Sequence, residues 1–263
     1  MSKKLFLCLN FCLLLLLFGC SSEQGQSKAK TKETGQVILT ISAASSLTDV
    51  LTETAEKFKE ENPNIALQFN FGASGALKQQ IEQGAPVDVF ISAAEDKYIE
   101  LVEKDFVQEG TNIIKNELVL IAPIDSDSTF KVFSDLTTEN VEKISIGMPE
   151  VVPAGTYGQQ ALVYYGAWEE LRERIVYAKD VRQVLSYVET GNVDAGIVYK
   201  TDALTSDKVQ IIATASEGSH DSITYPFGVV GASDHIEEAE LFSEYLQSPP
   251  AKDLFTKYGF IVE

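Results

Sequence analysis

The sequence predicts an α/β protein in which helices flank mainly parallel sheets. From residue 37 onward, short apolar runs alternate with stretches of helical period, the pattern of strands joined by helical crossovers. The composition, 44% hydrophobic and 23% charged, is that of a folded chain with material for a core, not of a disordered or multi-span one. Several predicted strands also run into helices through small, hydroxyl-bearing turns rather than into hairpins.

The elements follow in order. Residues 37–42 read as a strand, and Leu47, Val50, Leu51, Ala55 and Phe58 then recur at helical spacing until Asn62-Pro63-Asn64 stops the helix. A strand over 65–71, a short helix over 77–83, a buried strand over 87–92 and a helix over 95–103 come next. A strand over 117–122 precedes a loop over 123–135. The second half gives a strand at 144–147, a loop that opens into a helix after Pro153, and a strand at 174–177. A helix over 181–190, a strand at 195–199 and an extended run at 223–230 follow. Helices over 237–246 and 251–258 close the chain, and no fixed-period repeat is present.

The N-terminus reads as an address. Lys3 and Lys4 precede an apolar run over 5–18, too short to span a bilayer stably and suited to a secretory signal. The run ends Leu17-Phe18-Gly19-Cys20, which resembles the lipobox of bacterial lipoproteins and implies that Cys20 becomes the lipidated first residue. The expected signal peptide is 1–19, and 20–36 is a lipidated, polar tether. All three cysteines fall at or before Cys20, so the mature domain must rely on its core rather than on disulfides.

Charge and missing motifs exclude much. With 39 acidic against 21 basic side chains the formal charge is −18, and −20 once Lys3 and Lys4 are removed, so a nucleic acid would be repelled. The fingerprints GxGxxG, GxxxxGK[ST] and GxSxG are absent, as are HExxH and CxxC. The two histidines, His220 and His235, are expected at the surface, and Ser219-His220-Asp221 is no triad merely because it is contiguous.

What remains are the strand-to-helix turns Ala43-Ala44-Ser45-Ser46, Gly72-Ala73-Ser74-Gly75, Pro153-Ala154-Gly155-Thr156 and Lys179-Asp180. A helix start exposes unpaired N–H groups at the positive end of its dipole, and small residues let an anion reach them. Any one serine there can be a simple cap contributing ~1 kcal/mol. Several such turns without catalytic machinery favour an anion site built from backbone amides.

The runs AASSLTDVLTETAEKF and NFGASGALKQQIEQGAPVDVFISA strongly resemble the molybdate-binding proteins of ABC transporters, the ModA family. MPEVVPAGTYGQQAL, KDVRQVLSYVETGNVDAGIVYKTDA and the terminal KYGF continue the resemblance, which covers about 37–260. It implies a two-lobed periplasmic-binding-protein fold (type II) with the ligand in the cleft. Lobe I would hold 37–122 and 227–263, and lobe II 123–226. Carried over by position, the oxyanion contacts fall on Ser46, Ser74, Ala154, Val181 and Tyr199. Family members often have alanine where Ser45 sits, so Ser46 corresponds to the family's hydroxyl. Ser46 and Ser74 would offer hydroxyl and backbone donors, Ala154 and Val181 backbone N–H alone, and Tyr199 its phenolic O–H.

The resemblance implies a non-enzymatic lipoprotein outside the cytoplasm. It would be a monomer without cofactor, with no metal held directly by side chains. It would capture molybdate or tungstate and deliver it to a membrane permease. Three alternatives stay open: a binder of another tetrahedral oxyanion such as sulfate, a secreted hydrolase using Ser46 or Ser74, and a cation-binding lipoprotein suggested by the acidic charge. The address is testable by itself. Cys20→Ala should release the protein from the membrane or leave it unprocessed on fractionation, because the tether is too polar to hold a bilayer. A membrane-bound species of mature size would refute the lipobox.

Overall fold

The computed structural model describes residues 36–126, 129–137 and 141–262. The expected signal segment 1–19, Cys20 and the tether up to residue 35 lie outside them. Among the described residues no helix is long and apolar enough to cross a membrane.

Strand β1 (Val37–Ala44) passes through a single 3-10 turn (Ser45–Leu47) into α1 (Thr48–Glu61). Then come β2 (Ile65–Gly72), α2 (Ser74–Glu82), β3 (Val89–Ile91), α3 (Glu95–Val102) and β4 (Thr111–Lys115). Asn116 and Glu117 carry the chain into β5 (Leu118–Pro123), and β6 (Ile144–Gly147), α4 (Pro153–Tyr164) and α5 (Trp168–Leu171) follow. The middle section continues with β7 (Ile175–Ala178), α6 (Val181–Glu189), β8 (Ala195–Tyr199), α7 (Lys200–Ala203) and β9 (Val209–Thr214). Residues 215–223 lead back to β10 (Thr224–Val229), α8 (Ile236–Leu246), α9 (Pro249–Lys257) and β11 (Ile261–Val262).

Two sheets result, with strand orders β11-β4-β10-β3-β1-β2 and β7-β6-β8-β5-β9. Each is built around a parallel triplet: β1 lies between β2 and β3, and β6 between β7 and β8. A strand flanked by two crossovers that leave in opposite directions is a switch point, and the carboxyl ends there open onto a crevice. The α/β architecture expected from the sequence is therefore present, but the sheets are mixed rather than mainly parallel. The strands next to the crossovers run the other way: β10 is antiparallel to β3 and β4, and β5 to β8 and β9. Leu118–Pro123, placed in lobe I by the sequence reading, is hydrogen-bonded into the second sheet, and the return to the first sheet begins at Thr224 rather than 227.

Periodicity fixes the helix faces. In α6, Val181, Val184, Leu185 and Val188 are buried, an i, i+3, i+4, i+7 stripe laid on the second sheet. In α1, Val50, Leu51, Thr54 and Phe58 are buried, and the Phe58 ring meets Phe242 and Tyr245 of α8 edge-on at 5.2 and 5.3 Å. Those contacts bind α8 to the helix that follows β1, although the whole second sheet, from Leu118 to Thr214, lies between them in sequence.

Candidate functional site

The carboxyl ends of all six parallel strands reach one cavity. β1 delivers Ser45 and Ser46, β2 delivers Ala73 and Ser74, and β3 delivers Ala93. From the second sheet, β6 leads to Val152, Pro153 and Ala154, β7 to Val181, and β8 ends on Tyr199. The five residues singled out in the sequence, Ser46, Ser74, Ala154, Val181 and Tyr199, all line it. Ser45 lines it as well, as do Ala73, Ala93, Val152 and Pro153, which sequence reasoning did not single out as ligands.

The cavity offers about 10 Å³ to the centre of a water-sized sphere. Sites for drug-sized molecules run to ~300–1,000 Å³, so this one suits a single compact ion of a few atoms. No charged side chain lines it.

Its polarity comes from helix starts. The helices after β1, β2 and β6 follow Ala44, Ala73 and Val152, whose side chains cannot cap. Ser74 and Val181 are the first residues of α2 and α6, and Ala154 is the second of α4. N–H groups at these positions have no partner inside their helix, and leaving them uncapped costs stability unless something else accepts from them. Among the described helices that start at the cavity, α6 differs in being capped by a side chain, Asp180 accepting from the Gln183 N–H at 2.9 Å.

The hydroxyls are constrained by neighbours. Ser74 Oγ accepts from the Ala93 N–H at 2.9 Å, which leaves its own proton to point elsewhere. The Tyr199 O–H lies 3.5 Å from the Ala93 carbonyl, a weak contact that a better acceptor would displace. Burial holds the Tyr199 phenol well above its ordinary pKa, so it stays a donor.

The two sheets meet at the cavity rim. The Gly75 N–H donates to the Val151 carbonyl at 3.0 Å, and a Cβ at Gly75 would sit 2.8 Å from that oxygen and from Val151 Cα. Only glycine permits this approach. Arg182, next to Val181, turns away from the cavity: its Nη2 is 2.5 Å from Asp49 Oδ2 of α1, and its Nε 2.6 Å from Asp202 Oδ1 of α7. The second contact is a close ion pair without hydrogen-bond alignment. Asp202 is fully buried, and that burial raises its carboxyl to about 6 despite the guanidinium.

Neither histidine lines the cavity; both are half-buried, and His220 lies 5.8 Å ring to ring from Tyr157. Among the described residues no group of three His, Cys, Asp or Glu side chains could hold a metal ion.

Residues 39–261 match the family described as bacterial extracellular solute-binding protein. This chain belongs to that family. Its members are transport components, not enzymes. YvgL of Bacillus subtilis (strain 168), provisionally named an ABC transporter substrate-binding lipoprotein, is 49% identical over 251 residues, 95% of this chain and 94% of that one. The molybdate-binding protein ModA of Escherichia coli (strain K12) is 36% identical over 231 residues, 86% of this chain and 89% of its own. The structure of the Azotobacter vinelandii periplasmic molybdate-binding protein aligns with a TM-score of 0.77 at 25% identity, covering 86% of this chain and 99% of the other. The chain is thus a substrate-binding protein of an ABC transporter, with the two-lobed fold of periplasmic binding proteins.

The buried ion pair gives a stability prediction. Arg182→Ala leaves the Asp202 carboxylate buried without its partner, which should lower unfolding free energy by ~3–5 kcal/mol at pH 7. Asp202 binds its proton more tightly folded than unfolded, so its burial costs stability progressively as pH rises from its ordinary 3.8 to about 6, and by a constant amount above that. The penalty of Arg182→Ala in urea unfolding should therefore shrink when the pH falls below 6. A loss independent of pH would mean the arginine acts through packing alone.

Proposed function

We propose that this chain is an extracytoplasmic lipoprotein, anchored through Cys20, that captures molybdate or tungstate as a monomer and hands it to a membrane permease. Ser46, Ser74, Ala154, Val181 and Tyr199 hold the oxyanion. The observation that carries this reading is a small cavity presenting uncapped helix starts and hydroxyls, with no cation among its lining residues. The names of the relatives support it, since the Escherichia coli and Azotobacter vinelandii proteins are molybdate-binding.

The chemistry agrees. Molybdate at neutral pH is a fully deprotonated dianion whose four oxygens only accept. Donors fixed in a dry cavity meet it without reorganising, and each bond to the charged ion is stronger than one between neutral groups. Hydrogen phosphate carries a proton that needs an acceptor and so fits a donor lining less well. Sulfate has the right charge but shorter bonds, leaving it loose among donors set for a larger tetrahedron. Closure of the two sheets over the ion, with Gly75 against Val151, is a hinge motion that presents the loaded form to the permease.

Parallel calorimetric titration with molybdate, tungstate, sulfate and phosphate tests the ligand. Molybdate and tungstate should bind tightly and phosphate not at all. Sulfate binding as tight as molybdate would replace this reading with a general oxyanion carrier. The donors are tested one by one. Ser46→Ala, Ser74→Ala and Tyr199→Phe should each weaken molybdate binding ~10- to 150-fold, the equivalent of ~1.5–3 kcal/mol per hydrogen bond to a charged group. Val181→Ala should matter far less, because its contact is through the main chain. If Ser45→Ala loses affinity while Ser46→Ala keeps it, the register at the first helix start is off by one.

A further inference from the structure

Behind Ser46 lies a chain of buried polar groups that line no part of the cavity. Ser46 Oγ is 3.0 Å from Tyr225 Oη on β10. The Asn116 side-chain amide donates to that same phenolic oxygen at 3.1 Å and to Thr201 Oγ1 at 2.9 Å. All four residues are buried, with Tyr225 fully inaccessible. Tyr225 also packs edge-on against Tyr199 and Phe260, with ring centroids 6.1 and 5.5 Å away.

Distances alone leave the direction of the Ser46–Tyr225 bond open, but the neighbours decide it. The Glu117 backbone N–H, which can only donate, reaches Asn116 Oδ1 at 2.9 Å. That contact fixes which end of the amide is oxygen, so the NH₂ faces the two hydroxyls. Tyr225 Oη accepts from Asn116, and its own proton then goes to Ser46 Oγ. Ser46 Oγ accepts in turn, and its remaining proton is directed away from Tyr225, toward the cavity it lines.

We propose that Asn116 and Tyr225 are positioning residues: a one-way hydrogen-bond relay, Asn116 to Tyr225 to Ser46, that holds the Ser46 hydroxyl as a donor to the bound oxyanion. The proposal rests on the reading of Ser46 as a ligand. Its logic is proton direction. A free serine hydroxyl can offer an anion either its proton or a lone pair, and the second repels. Accepting from Tyr225 removes that freedom, and successive bonds of one direction polarise one another. Burial raises the Tyr225 phenol far above its ordinary range, so the proton the relay needs is always present. The relay starts where the chain first leaves one sheet for the other, and the Asn116 N–H donates to the Ile223 carbonyl of the return crossover at 3.2 Å. The same residue therefore ties both crossovers to the donor set.

The test is a double-mutant cycle read as molybdate Kd by calorimetry, using Tyr225→Phe and Ser46→Ala. Tyr225→Phe keeps the ring and its packing and should weaken binding about 3- to 10-fold, the range for one hydrogen bond between neutral groups. In the Ser46→Ala background the same change should have no effect, because no hydroxyl remains to orient. Asn116→Ala, carried through the same cycle, should give the same pattern without touching the tyrosine. Equal losses in both backgrounds would show that the tyrosine acts by holding the crossovers together, and would overturn the relay. So would an unchanged Kd for Tyr225→Phe alone. If Ser46→Ala by itself leaves Kd unchanged, the ligand assignment of Ser46 fails first, and the relay with it.

Discussion

A backbone N–H at a helix start has no partner within its helix, and nothing in a dry cavity will satisfy it unless the fold or a ligand supplies an acceptor. Bringing several such starts together constrains the whole chain. Each must follow a strand whose carboxyl end points at the same place, and strands pointing the same way side by side are parallel. Two parallel triplets facing one cavity meet the requirement: β1, β2 and β3 from one sheet, β6, β7 and β8 from the other. The antiparallel strands serve a different need. They carry the chain between the sheets, and the residues at those crossings stand directly behind the site.

The same requirement explains residues that look like poor choices locally. Ala44, Ala73 and Val152 precede helices yet cannot cap them, a loss of ~1 kcal/mol each in ordinary surroundings. Gly75 sits in the first turn of α2, where glycine costs helix stability, and any larger residue would collide with Val151. Gly155 repeats the pattern in α4, where a Cβ would fall 2.0 Å from the Gly147 carbonyl oxygen. Local rules are broken where a binding function needs them broken, and they hold elsewhere.

This is also why part of the molecule was legible in sequence and part was not. The parallel triplets were, because each of their strands is a short apolar run followed by a periodic helix; the limits of β6 and β8 coincide with residues 144–147 and 195–199. β4, β9 and β11 were not. Thr111–Lys115 begins exposed, Val209–Thr214 is only partly buried, and Ile261–Val262 is two residues long, so none shows a clear period. Strand direction was misjudged at the crossovers, since β5 and β10 have ordinary strand composition and only pairing reveals their sense. The helix at 77 begins three residues earlier, at Ser74, because Gly-Ala-Ser-Gly reads as a turn when the approach of Val151 is invisible. Tyr225 and Asn116 carried no signal at all: they lie 179 and 70 positions from Ser46, and only the fold brings them together.

An anion site in a chain of formal charge −18 needs an electrostatic account. The obvious cation, Arg182, is engaged by Asp49 and Asp202, so that trio contributes no positive charge. Attraction must come from dipoles at short range. Repulsion from surface carboxylates is screened over ~8 Å at physiological ionic strength, whereas helix ends that line the cavity act without intervening solvent. Such a balance favours ions that fill the cavity and meet every donor, because an ill-fitting anion feels the repulsion and gains only part of the dipole field. With no mobile cationic side chain in the lining, nothing can reach out to a smaller or differently shaped ion. Selectivity therefore resides in the spacing of fixed donors, and a group that turns one hydroxyl by its hydrogen-bond direction becomes part of the specificity itself.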